Sequence, residues 1–126
     1  MEYRPDRGLK STRVLLVEDA EDTRDAFALL LRSEGADVVA TATGTEATQA
    51  AEGQHFDVVL TDLGLPDIPG DVVIRRVLAK APRRPRVVVL TGYDEPFTSR
   101  ARQAGADVVL NKPIAWPELV EHLVAA

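Results

Sequence analysis

The chain contains no cysteine. That excludes a disulfide framework, a thiolate zinc site, an iron–sulfur cluster and a cysteine nucleophile. Long apolar runs are missing too: the longest is Ala26–Leu31, far short of the ~20 residues that a membrane helix needs, so no membrane insertion is expected. Residues 1–13 lack the apolar stretch of a signal peptide. Positive charge is in deficit, with 15 Lys plus Arg against 20 Asp plus Glu and a formal net charge of −5; a protein that coats nucleic acid needs the opposite balance. What remains, 126 residues with 45% hydrophobic and 28% charged content, suits one soluble domain, and its expected location is the cytoplasm. Residues 1–12 read as a flexible N-terminal arm and 13–126 as the folded domain.

Short β-branched runs recur along that domain at Val14–Val17, Val38–Val39, Val58–Leu60, Val87–Leu90 and Val108–Leu110. Helix-favouring segments separate them, which is the period of βα units. Because these runs are apolar without alternation, they suit strands buried on both faces, as in a parallel sheet covered by helices. The first helix carries Phe27, Leu30 and Leu31 as its apolar face and should end at Gly35. The pentapeptide Gly35-Ala-Asp-Val-Val39 is repeated at Gly105-Ala-Asp-Val-Val109, and each copy reads as a glycine helix stop followed by a buried strand. The second helix should run from Gly44 to Glu52 on Ala47, Ala50 and Ala51. Asp71–Lys80 contains Val72-Val73-Ile74, which taken alone favours a strand. Parallel strands need a helical crossover, however, and Val73, Val77 with Ile74, Leu78 repeat at i, i+4, so this segment is predicted to be helix. Glu95–Ala104, opened by Pro96, and a fifth helix on Trp116, Leu119, Val120, Leu123 and Val124 complete the pattern. The arginines of Pro82–Arg86 read as a rigid solvated loop.

The fold expected is α/β, a doubly wound five-stranded parallel sheet of order 2-1-3-4-5, flavodoxin-like. Ligands of such sheets bind beyond the carboxyl ends of the strands where strand order reverses. Glu18 and Asp19 follow strand one, Asp62 strand three, Thr91 strand four and Lys112 strand five. Each alone has an ordinary reading: a helix-end acid pair, a loop aspartate, a strand-end hydroxyl and a surface lysine. Together on one edge they make a site. Clustered carboxylates need a cation between them, and a hard oxygen set with open positions suits Mg²⁺. Thr91 and Lys112 supply the hydroxyl and ammonium that stabilise phosphoryl oxygens, and small Gly92 leaves room for a donor. An ionised Asp62 is then a nucleophile for in-line phosphoryl transfer. Pro113 bends the chain after Lys112, and a cis bond there would aim the ammonium inward.

At these residues, Glu18-Asp19, Asp62-Leu-Gly-Leu-Pro-Asp-Ile-Pro-Gly70, Thr91-Gly92 and Lys112-Pro113, the chain resembles the receiver domains of two-component response regulators and hybrid histidine kinases, over about Arg13 to Val124. The resemblance implies that Asp62 is the phospho-acceptor, that Glu18, Asp19, Asp62 and the Gly64 carbonyl bind Mg²⁺, and that Thr91 and Lys112 contact the phosphoryl group. Two positions depart from the family. Glu18 replaces the commoner Asp. Val109 stands three residues before the lysine, where an aromatic usually reports the switch. Tyr93 borders the site, either as a gate of access or lifetime or as an exposed loop residue. His55 and His122 have no partners at ligand spacing, the latter on the solvated side of its helix, and Trp116 reads as a packing anchor.

The function implied is that of a signalling switch rather than an enzyme. It takes a phosphoryl group from a sensor histidine kinase or a histidine phosphotransfer protein and controls an unknown downstream protein, without direct nucleic-acid contact. With no output segment after the fifth helix, it is expected to be a stand-alone receiver, a relay intermediate or a part of a hybrid kinase. Two other classes compete. A small Mg²⁺-dependent aspartyl-phosphate phosphatase would carry an acid at position 64, where this chain has glycine. A flavodoxin-like electron carrier would need a phosphate loop after strand one, where Glu18 and Asp19 repel phosphate.

Overall fold

The β-branched runs form strands, and the segments between them carry the chain back across the sheet as helices. The computed structural model describes residues 8–124. In chain order these form β1 (Arg13–Val17), α1 (Glu21–Ser33), β2 (Asp37–Thr41), α2 (Gly44–Gly53), β3 (Val58–Thr61), α3 (Gly70–Lys80), β4 (Arg86–Thr91), α4 (Phe97–Ala104), β5 (Val108–Asn111) and α5 (Trp116–Val124). The strands are parallel in the order β2-β1-β3-β4-β5. Val17 pairs with Thr61 and Thr61 with Val89, while Thr91 pairs with Asn111. This register sets the carboxyl ends of β1, β3, β4 and β5 along one edge.

Two apolar layers hold the sheet. On one face α1 and α5 pack Ala28, Leu31, Leu119, Val120 and Leu123 against Val14, Leu16, Leu60, Val88 and Leu90. On the other, α2, α3 and α4 bring Ala47, Ala51, Val73, Ile74, Val77, Ala101 and Ala104 onto Leu15, Val17, Val59, Val87 and Val89. The alternate residues of each strand therefore serve opposite layers, as a doubly covered parallel sheet requires. In α3 the Val72-Val73-Ile74 run is helical because Val73, Ile74 and Val77 form one buried stripe, and this burial outweighs their modest helix propensity. Thr43 caps α2 by accepting from the Glu46 N–H, and Glu46 reaches back to the Ala42 N–H, a reciprocal pair that fixes where the helix starts.

Several expectations are corrected. Residues 1–7 of the predicted arm lie outside the described residues, but residues 8–12 are not free. Leu9 has no solvent exposure and belongs to the α1/α5 layer, and its backbone N–H donates to the Glu34 carbonyl. An apolar side chain close to the first strand is drawn into the space beneath α1 and α5. Leu30 is 39% exposed; Ala28 takes its expected place beside Leu31. Val124 is exposed as well. α4 begins at Phe97, one residue after Pro96. The runs of β2 and β5 are only partly buried, because an edge strand of an open sheet has a neighbour on one side alone. His122 is half-buried, and its carbonyl accepts from Arg86 Nε. Arg83 and Arg84 are exposed, as expected of a solvated loop, and Arg84 is also paired to Asp107. No described helix is long and apolar enough to cross a membrane.

Candidate functional site

Glu18 continues β1 past its last residue, and its carboxylate is buried, 5% exposed. One oxygen accepts from the Ala20 N–H at 3.1 Å, and the other lies 3.5 Å from Lys112 Nζ. Asp62 leaves the end of β3. Its Oδ1 accepts from the Leu63 N–H at 2.6 Å and its Oδ2 from Lys112 Nζ at 2.9 Å. Lys112 directly follows β5 and precedes a cis bond to Pro113, and its ammonium is the common point of both carboxylates. Thr91 closes β4 with no exposure, its hydroxyl accepting from the Tyr93 N–H at 3.1 Å. Gly92 has nothing within 4 Å of where a side chain would begin, so this edge is open to an approaching donor.

Charge and burial oppose one another here. Burial pushes the Glu18 carboxyl above its ordinary value; the Ala20 N–H and Lys112 pull it back, while Asp19 and Asp62 add to the rise. Burial alone would lower the Lys112 ammonium. The Asp62 hydrogen bond and the charges of Asp62 and Glu18 more than reverse that and hold it above the usual lysine range. The lysine is thus a firmly charged cation aimed at Asp62.

Of the three expected carboxylates, Glu18 and Asp62 converge on Lys112. Asp19 is exposed, and no three described His, Cys, Asp or Glu side chains form a metal-holding group. Lys112 lies between Glu18 and Asp62, and Asp19 sits on the exposed side with its side chain in hydrogen-bond reach of Glu18. Two carboxylates that already converge on one cation, with the Gly64 carbonyl on the adjoining loop, still fit an ion that keeps most of its water.

The sequence reading missed two supports. Asp67 clips the β3–α3 loop to the start of α2, its carboxylate accepting from the N–H groups of Gly44 and Thr45 and from the Thr45 hydroxyl. The Thr45 hydroxyl is the main reason that its pKa falls to about 2, and the Thr45 and Gly44 N–H groups add to the effect against partial desolvation. The turn residues Pro66-Asp67 were the signal for a loop, but not for its partner. Glu34 is buried, and its Oε2 accepts from the Trp116 indole N–H at 3.1 Å, while the indole stacks on Phe27 at 6.4 Å. Trp116 is therefore an anchor between α1 and α5. His55 lies at the opposite end of the sheet beside Asp57, away from the site.

The family model described as response regulator receiver domain matches residues 14–124. The chain belongs to this family. It is 33% identical over 114 residues to the cell cycle transcriptional regulator CtrA of Caulobacter vibrioides, covering 90% of this chain and 49% of the relative. It is also 33% identical over 115 residues to the sensory transduction protein RegX3 of Mycolicibacterium smegmatis, covering 90% and 50%. This receiver domain thus spans about half the length of these curated relatives. Among solved structures, the receiver domain of a Pseudomonas aeruginosa sensor histidine kinase, with a magnesium ion in its active-site cleft, superimposes with a TM-score of 0.81 at 32% identity, covering 89% of this chain and 93% of that one. A Burkholderia pseudomallei response regulator carrying a phosphorylated aspartic acid and a calcium ion gives 0.82 at 27%, covering 89% and 66%.

Proposed function

We propose that Asp62 of this receiver domain accepts a phosphoryl group from a phosphohistidine on a sensor histidine kinase or a histidine phosphotransfer protein in the cytoplasm. The observation that carries the reading is the convergence of Lys112 on Asp62 and Glu18 at the edge where β1, β3, β4 and β5 end. An Asp62 carboxylate oxygen attacks phosphorus as the bond to the donor imidazole nitrogen breaks, and the electron pair leaves with that nitrogen. No general base is required, because the nucleophile is already an anion. The Lys112 ammonium and the Thr91 hydroxyl donate to phosphoryl oxygens as charge redistributes on them. Glu18, Asp62 and the Gly64 carbonyl would hold Mg²⁺, with Asp19 beside them; the ion supplies neutralisation of the phosphoryl charge.

The domain is a switch with its own transfer and hydrolysis chemistry, acting on a downstream protein rather than turning over a separate substrate. A phosphatase reading lacks its acid, because position 64 is glycine. The test is the intact mass after incubation with Mg²⁺ and a small phosphodonor. One phosphoryl increment is expected, and it should be absent in Asp62→Asn and in EDTA. An increment that survives Asp62→Asn overturns the assignment.

A further inference from the structure

Tyr93 meets the ends of β4 and β5 and the loop that follows β3. Its backbone N–H donates to Thr91 Oγ1 at 3.1 Å, and its carbonyl accepts from Asn111 Nδ2, beside Lys112, at 3.3 Å. Its side chain lies over the β3–α3 loop: a Cβ on Gly64 would stand 2.7 Å from the Tyr93 Oη, so the phenol rests where only glycine leaves room. The ring tilts against Phe97, the first residue of α4, with centroids 5.2 Å apart. Arg100, one turn on, lies 5.7 Å from the Phe97 ring centroid. Tyr93 and Phe97 are each 45% exposed, so neither ring is spent on the core. β5 offers no comparable link, since Val109 ends in aliphatic carbons packed onto the α2/α3/α4 layer.

From this arrangement we infer that Tyr93 is a positioning residue that ties occupancy of the phosphoryl site at Asp62 to the first turn of α4. The inference rests on the reading of Asp62 as phospho-acceptor. A phosphoryl group adds acceptor oxygens beside Thr91, and a Thr91 side chain that turns to donate to them carries its bonded partner, the Tyr93 N–H. On the other side, the Leu63 N–H is bound to the Asp62 carboxylate, so a change in that carboxylate shifts the loop beneath the phenol. Both displacements act on one ring, and that ring abuts Phe97. Aromatic pairs have preferred offset and tilted geometries, so motion of Tyr93 favours a matching motion of its partner.

The test uses the full chain with Mg²⁺ and beryllofluoride as the phosphoryl mimic, read by ¹H–¹⁵N spectra at saturation. Amides of Leu63, Gly64 and Leu65 report the site, and those of Ser99, Arg100 and Ala101 report α4. Wild type should shift both sets. Tyr93→Ala should keep the first and lose the second, whereas Tyr93→Phe, which retains the ring, should keep both. Phe97→Ala, which leaves Tyr93 in place, should also lose the α4 set, and it serves if the alanine at 93 disturbs the loop. α4 shifts of wild-type size in Tyr93→Ala or Phe97→Ala overturn the relay, as does their loss in Tyr93→Phe. A wild type whose loop amides ignore beryllofluoride overturns the Asp62 reading itself, and the relay with it.

Discussion

Replacing Leu9 with alanine removes a side chain with no solvent exposure from the layer beneath α1 and α5. The cost combines the lost transfer free energy of the deleted carbons with the cavity they leave, about 2–5 kcal/mol for a buried leucine. Residue 9 is pinned at its backbone: its N–H donates to Glu34 and its carbonyl accepts from Thr12. The segment therefore cannot sink into the gap, which places the expected loss at about 3–4 kcal/mol. That is a large part of the ~5–15 kcal/mol that holds a domain folded. With a urea dependence of about 1.5–2 kcal/mol per molar, the unfolding midpoint should fall by roughly 2 M. Trp116, the only tryptophan in the chain, is stacked on Phe27 and bonded to Glu34, so its fluorescence reports the transition in the affected layer. A midpoint change below about 0.3 M, with an unchanged slope, would show that Leu9 spends its time outside the core.

Two further perturbations test the site's supports. Asp67 titrates at about 2 in the folded chain against an ordinary 3.8, so its stabilising effect is complete above the ordinary value and is lost as pH falls from about 4 towards 2. Thermal melts of wild type and Asp67→Asn should therefore converge over that window, and a constant gap would rule out the clip to α2 as its source. Lys112→Ala leaves Glu18 and Asp62 without their shared cation, yet the lysine is partly exposed and outside both apolar layers. The variant should keep its circular dichroism while its beryllofluoride shifts at Thr91 and Tyr93 shrink; shifts of wild-type size would remove Lys112 from the phosphoryl contacts.

Much of this was legible because the β-branched runs are long enough to leave few alternatives, and connectivity settled the one ambiguous segment, Val72–Ile74. Glu18, Asp62, Thr91 and Lys112 could be placed because each sits at or just past the end of a strand, and a parallel sheet brings all such positions to one edge. What stayed hidden depends on distances that no period encodes. Leu9 is a lone apolar residue among polar ones, and nothing nearby in sequence announces the space it fills. Asp67 finds its partners more than twenty residues away, at Gly44 and Thr45. Asp19 seemed equivalent to Glu18 on spacing, but only the latter lies buried under the lysine. The place of Tyr93 depends on the absence of a side chain at Gly64, a contact made by empty space.

The repeated pentapeptide has a meaning beyond helix stopping. Gly35 and Gly105 both adopt positive φ, 95° and 121°, and the strands they introduce, β2 and β5, are the two borders of the sheet. Each border strand is introduced by an aspartate bonded to its inner neighbour: Asp37 to Arg13 at the start of β1, and Asp107 to the Val87 N–H of β4 and to Arg84. The same five residues thus act twice as a fastening, ending a helix and tying each border strand to the strand inside it, while the opposite ends of the inner strands stay free for chemistry.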